Sequence, residues 1–326
     1  MNYSLPFHHY IERPVFDKEV ATIFQKEWIP FAHTSEFKKK SFSLERSLLD
    51  HSIVLTRDGD QFHAFRNICA HRAGPLLWEE ECSTGRSLRC KYHGWKYNLN
   101  GIRTKSPDFG ATVEAHNLQE LALQVWKGLI FINLHPEPVP FSLKDRLDEH
   151  APGLENFIFH STARHPLHCN WKTYIENYLE GYHISYLHPS LRASIDQSEY
   201  QIHVHGDLIT HEVPADPNAT VSGFWAYLWP NTALNIYGKG MSIERILPID
   251  EHHTQIHYLY LFQEGTSEEE IQNSIAMSRK VTEEDIQICE AIAKNLRCKT
   301  YFGGPLSPKH EHGILYVHNK IRKAMM

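Results

Sequence analysis

No stretch of eighteen apolar residues occurs in this 326-residue chain, so the sequence offers no membrane-spanning helix. Residues 1–16 lack the apolar run behind a basic flank that marks a secretory leader, and a cytoplasmic protein is expected. Basic runs are missing too. With 33 Lys and Arg against 39 Asp and Glu, the formal net charge is −6, and nucleic acid is not an expected partner. Six cysteines are too few to staple a chain of this length with disulfides. No internal repeat or low-complexity tract is visible. What is present is a 41% hydrophobic composition, enough for a real core and for two domains, and an unusual 24 histidines. A histidine therefore needs spacing or partners before it is given a role.

Two short pairs meet that standard. Cys69-Ala-His71 is followed eighteen residues later by Cys90-Lys-Tyr-His93. Zinc commonly takes two Cys and two His, so a structural zinc knuckle is one reading. Iron is the other, and the distribution favours it: each pair holds one Cys and one His. In a [2Fe–2S] centre with one all-Cys and one all-His iron, each loop gives one ligand to each metal. Arg72, Gly74, Gly94 and Trp95 flank the ligands, and Asn98-Leu-Asn-Gly101 reads as a turn between strands. Cys82, Cys169, Cys289 and Cys298 have no ligand-like spacing and are expected to be buried, inert thiols.

Along the rest of the chain, periodicity predicts a helix from Asp17 to Trp28, then a hairpin of residues 52–56 and 61–66 around Asp58-Gly59. Residues 125–134 read as a buried strand pair closing a β-rich domain. The Pro-rich segment 135–140 suggests a boundary, and domains of 1–150 and 151–326 are expected. After Asn170 a helical pattern sets Glu176, Glu180 and His183 on one face. His183 and His188 are five apart, about 140° around a helix, so they meet on one metal only if the helix distorts or ends between them. Residues 224–229, 232–237, 241–247 and 254–262 read as an antiparallel sheet. Trp225, Tyr227, Trp229 and Tyr237 could cage a trimethylammonium group, although alternate strand residues face opposite ways. One helix opens at Ser267, and 282–297 is a second helix or its continuation. Asp285 lies on a stripe with Ile288 or Cys289, Ile292 and Leu296; it is either a buried ligand or part of a cap opened by Thr282. Two His and a distant carboxylate make a possible 2-His-1-carboxylate triad.

Through Cys69-Ala-His-Arg-Ala-Gly, Cys90-Lys-Tyr-His-Gly-Trp and the Asn170-to-His188 segment, the chain resembles the oxygenase (alpha) subunits of Rieske non-haem iron oxygenases. Residues 284–290 and 304–311 look like the choline monooxygenase, glycine betaine and carnitine oxygenase group. The resemblance implies an α+β fold: a Rieske β domain and a helix-grip (START-like) catalytic domain with an antiparallel sheet. It implies a [2Fe–2S] cluster on Cys69, His71, Cys90 and His93, and mononuclear Fe(II) on His183, His188 and Asp285, with Glu283 or Glu284 as alternatives for the third ligand. Glu180 and Asn177 are implied as catalytic, Glu180 bridging His183 to His93 of a neighbouring subunit. O2 would be the co-substrate, a flavin or ferredoxin-type reductase the electron donor, and a head-to-tail homotrimer the assembly. The implied activity is hydroxylation or N-demethylation of a small, quaternary ammonium substrate. Aromatic-ring hydroxylation is the alternative on the same fold, and a Rieske electron carrier the alternative of another class.

Overall fold

The computed structural model of the chain describes residues 3–109, 116–150, 153–192, 200–212 and 223–326. Two compact units emerge: residues 30–139, and residues 1–29 together with 140–326. The first is thus an insertion within the second, which differs from the division expected at 150/151.

The inserted unit is built from strands β1 (Ile29–His33), β2 (Ser41–Leu48), β3 (His51–Asp58), β4 (Gln61–Arg66), β5 (Cys82–Ser83), β6 (Ser87–Arg89), β7 (Lys96–Asn98), β8 (Arg103–Lys105), β9 (Glu120–Trp126) and β10 (Leu129–Asn133). They form a seven-stranded sheet in the order β1-β10-β9-β4-β3-β2-β5 and a three-stranded sheet β6-β7-β8. The expected hairpin is β3–β4, closed where Asp58 pairs with Gln61. The expected strand pair is β9–β10, with Trp126 opposite Leu129. Cys69 and Cys90 are part of the apolar core, among Val54, Phe65, Leu76, Leu88, Trp95 and Tyr97.

The second unit begins with α1 (His8–Ile11) and α2 (Arg13–Glu19), the latter widening into a single π turn over Val20–Phe24. The helix expected to reach Trp28 stops short of it. After residue 139 come α3 (Leu143–His150), β11 (Phe157–Leu167), α4 (Trp171–Tyr178), α5 (Ile184–Leu187) and α6 (Pro189–Arg192). Strands β12 (Gln201–His205), β13 (Leu208–Glu212), β14 (Gly223–Leu228), β15 (Thr232–Tyr237), β16 (Gly240–Pro248) and β17 (Thr254–Gln263) precede α7 (Glu268–Leu296) and α8 (His312–Ala324). The sheet runs β11-β17-β16-β15-β14-β13-β12, antiparallel throughout. The long helix α7 lies against it: Tyr258 Oη meets Thr282 Oγ1 at 2.6 Å and Tyr260 Oη meets Ser278 Oγ at 3.2 Å.

Residues 267–297 form one helix, not two. Ser267 is its N-cap, in a reciprocal capping box with Glu270. Thr282 sits in mid-helix, its hydroxyl bonded back to Ser278 O at 2.8 Å, so Asp285 is not part of a cap. The buried stripe is Thr282, Asp285, Cys289, Ala293 and Leu296, whereas Ile288 and Ile292 are exposed. Cys82 and Cys298 are also exposed; only Cys169 and Cys289 of the four unassigned thiols are buried as expected. The N-terminal segment is tied in by a buried ion pair. Lys172 Nζ lies 2.8 and 2.9 Å from the two Glu19 oxygens, and Trp171 Nε1 donates to the same carboxylate at 2.9 Å.

Candidate metal centres

The first centre rests on two matching loops. Cys69 N donates to Gly74 O and Ala73 N to Cys69 O; Cys90 N donates to Trp95 O and Gly94 N to Cys90 O. Each loop is a tight turn that holds its Cys at the base. Gly94 turns at φ +72°, where an L side chain is strained. At Gly74 the reason is contact instead: a Cβ there would come within 2.8 Å of Tyr92 Cβ and 3.0 Å of Cys90 Sγ. The loops therefore meet face to face, and the rings of His71 and His93 sit 4.7 Å apart, with His71 stacked on Trp95 at 5.0 Å. Cys69 Sγ lies 3.2 Å from the Tyr97 hydroxyl, which also accepts from Ala70 N. Burial pushes the Cys69 thiol up, against the pull of the Tyr97 hydroxyl and the His71 N–H. His71 Nδ1 is buried with no hydrogen-bond partner among the described residues, an orphan that a metal bond would satisfy. Two thiols and two imidazoles in facing loops fit a [2Fe–2S] group.

The second centre lies where α4 ends. The helix stops at Tyr178, not beyond His183, so the expected shared face of Glu176, Glu180 and His183 does not form. Glu180 instead organises the turn: its Oε2 accepts from the backbone N–H of Tyr182 and, at 3.1 Å, of His183, while its Oε1 is 2.5 Å from His183 Nδ1. The short α5 then carries the chain to His188. Glu284 Oε2 lies 2.7 Å from His188 Nδ1. With both Nδ1 atoms held by glutamates, both Nε2 atoms turn to one carboxylate: Asp285 Oδ1 is 3.0 Å from His188 Nε2 and 3.8 Å from His183 Nε2. One ligand atom from each of His183, His188 and Asp285 falls within 4.8 Å of the others. Asn177 Nδ2 donates to Asp285 Oδ1 at 2.6 Å and steadies it. Burial opposes charge on His188, but the hydrogen bonds to Asp285 and Glu284 outweigh it and raise its pKa. The donor set fits a divalent iron held on one face.

Asp285 is thus the acid brought to the histidines. Glu284 points at the back of His188, and Glu283 pairs with Arg279 at 2.8 Å on the exposed side. The partnership of Glu284 with His188 escapes sequence reading, since three adjacent acids look alike until the phase of α7 is known.

A cavity of about 890 Å³ opens from this centre and runs between α7 and the sheet. Trp225 and Tyr237 line it; Tyr227 and Trp229 do not, so only half of the expected cage faces it. Trp229 donates instead to Glu27 Oε1 at 2.9 Å. Tyr174, Tyr178 and Tyr258 complete an aromatic wall.

Two family profiles match in succession: "Rieske [2Fe-2S] domain" over residues 27–122, and "Ring hydroxylating alpha subunit (catalytic domain)" over 154–222 and 209–326. The chain is 30% identical to the carnitine monooxygenase oxygenase subunit of Escherichia coli (strain K12), over 97% of this chain and 92% of that protein. It is 27% identical to the chloroplastic choline monooxygenase of Atriplex hortensis, over 96% of this chain and 76% of that protein. Among solved structures, the quaternary ammonium Rieske monooxygenase CntA in complex with an inhibitor superposes with a TM-score of 0.90 at 23% identity, covering 99% of this chain and 96% of that one.

Proposed function

The chain belongs to the Rieske non-haem iron oxygenases, and from that premise we propose that it is the oxygenase component of a monooxygenase that hydroxylates or N-demethylates a small quaternary ammonium compound. The observation that carries the reading is the iron centre itself, with two Nε2 atoms and one carboxylate oxygen converging within 4.8 Å at the end of an aromatic-walled cavity. When bound, the cluster supplies single electrons and the iron the capacity to activate O2.

The chain's own residues have separable tasks in this reading. Cys69, His71, Cys90 and His93 hold the cluster; His183, His188 and Asp285 hold the iron. Glu180 and Glu284 accept the Nδ1–H of the two histidines, fixing the tautomer that presents Nε2 and making each imidazole a stronger donor. Asn177 keeps Asp285 turned toward them. The aromatic wall excludes water and offers ring faces to a cation that has no N–H to donate. Electrons come from a separate reductase. The assembly is a head-to-tail homotrimer in which Glu180 also accepts an N–H from His93 of the adjacent subunit, joining cluster to iron. The relatives named as carnitine and choline monooxygenases support the substrate class.

Iron and acid-labile sulfide analysis of the pure protein, followed by O2 uptake with a surrogate reductase, tests this. About three iron and two sulfide per chain are expected, with uptake stimulated by carnitine, choline or glycine betaine and matched by hydroxylated or demethylated product. Uptake and product with aromatic hydrocarbons alone would refute the substrate class, and protein without sulfide the cluster.

A further inference from the structure

Glu244 is an unusual residue for the wall of an apolar cavity. It projects from β16 into the space between sheet and α7, only 6% exposed. Its hydrogen bonds come from neutral donors: Tyr174 Oη at 2.9 Å and Asn235 Nδ2 at 2.7 Å. The other acids lining the cavity are already employed. Asp285 and Glu180 serve the iron centre, and Glu270 caps α7 and pairs with Lys239 at 3.4 Å. A carboxylate buried without a cation is costly, and proteins normally neutralise it or pair it. Tyr258 is a third neutral donor to it, and beyond these donors it borders the cavity, whose walls include the rings of Tyr178, Trp225, Tyr237 and Tyr258.

We infer that Glu244 is the counter-anion for the substrate's cationic group, and so the residue that makes this cavity choose a quaternary ammonium over an uncharged compound of the same shape. The inference rests on the substrate class proposed above and adds the residue that enforces it. A trimethylammonium group donates no conventional hydrogen bond, so two forces are open to it: attraction to ring faces and attraction to a fixed negative charge. The rings supply the first. Glu244 supplies the second from within a water-poor wall, where one charge at contact range shifts affinity on the order of tenfold to a hundredfold. Burial pushes the Glu244 carboxyl up to about 7, against the hydrogen bonds from Tyr174 and Tyr258 and with Asp285 adding to the rise, so a bound cation would draw it fully into the anionic form. A purely structural role, anchoring Tyr174 of α4 to the sheet, would hold the fold without discriminating charge.

The test separates the two. On anaerobic protein holding both metals, Kd is measured by calorimetry for choline or L-carnitine, whichever binds tighter, and for its tert-butyl carbon isostere. The parent should favour the cation, and Glu244→Gln should lower that preference at least tenfold while the isostere's Kd stays within about twofold. Glu244→Asp, which keeps the charge, should retain most of the preference. An undiminished preference in Glu244→Gln overturns the inference and leaves the substrate class standing on the aromatic wall alone. A parent that does not favour the cation overturns the substrate class and this inference with it. Should Glu244→Gln lose iron, Glu244→Met with Tyr174→Phe removes the carboxylate and the Tyr174 donor, Asn235 Nδ2 keeping Ser242 Oγ at 3.3 Å as an acceptor; the same loss of preference is required of it.

Discussion

Replacing Glu284 isolates the role of a residue that touches no substrate and ligates no metal in this reading. Its Oε2 stands 2.7 Å from His188 Nδ1, and its side chain is 23% exposed. A charge-assisted hydrogen bond of this kind contributes about 1.5–3 kcal/mol, less here because part of the carboxylate is reached by water. Losing about 1.4–2.7 kcal/mol corresponds to roughly ten- to a hundredfold in iron affinity, the usual cost of removing a group behind a ligating histidine. In Glu284→Ala the imidazole of His188 regains ring rotation, and Nε2 is no longer held toward Asp285. Glu284→Gln leaves a neutral acceptor and should fall between parent and Ala. The measurement is anaerobic competition for Fe(II) against a chromophoric chelator, with the visible absorption of the cluster as an internal control. The order parent, Gln, Ala in affinity, at constant cluster absorption, is expected. Unchanged iron affinity in Glu284→Ala would refute the orienting role. A complete loss, equal to that of Asp285→Ala, would mean that Glu284 is itself a ligand.

Asp285→Ala, His183→Ala and His188→Ala should each abolish mononuclear iron and turnover while sparing the cluster; because Asp285 is in mid-helix, retained iron with a small stability loss would contradict the assignment. Cys69→Ser or Cys90→Ser should remove the visible cluster spectrum, and colour retained in either variant would exclude these thiols as ligands. Glu180→Gln should keep both metals, yet its pre-reduced cluster should no longer oxidise on mixing with substrate and O2; a parental single-turnover rate would remove the bridge from the electron path. Lys172→Met leaves Glu19 buried without its cation and should destabilise the fold by about 3–5 kcal/mol in denaturant titrations, an effect under 1 kcal/mol showing that Glu19 had been protonated instead.

The parts of the molecule that reasoning from sequence reaches are those whose partners lie close along the chain. Cys69 with His71 and Cys90 with His93 form local loops, and the hairpins at Gly59 and Lys127-Gly128 carry their own turn chemistry. His183 and His188 are near neighbours, and they come together because α4 ends at Tyr178, before either of them, and the short α5 spans the interval. The apolar pattern runs on past Tyr178, but Glu180 draws off the N–H groups of Tyr182 and His183, and Tyr200 packs so close to Gly181 that a Cβ there would meet its ring at 2.4 Å. These are tertiary facts. Asp285 lies 97 positions from His188; the residue types suggest a triad, but their spacing alone leaves Asp285 open between a ligand and a helix cap. Strand β11 carries little sequence signal because its central His-Ser-Thr-Ala-Arg-His is almost wholly polar on both faces, as befits an edge strand. The placement of residues 1–29 was hidden for the same kind of reason: the pair Glu19 and Lys172 spans 153 positions and looks like two surface charges.

The insertion of residues 30–139 within the other unit sets an order of events during synthesis. The cluster loops belong to a contiguous stretch whose strand pairings close within it, from the β3–β4 hairpin to the long-range β1–β10 pair, so its sheet is complete only once β10 has emerged. The helix α2 is made before it but has no place to go until Lys172 appears, and the iron site is not complete until α7, the last long helix but one, has been made. In order of synthesis, every residue of the cluster loops therefore precedes every residue that meets at the second centre.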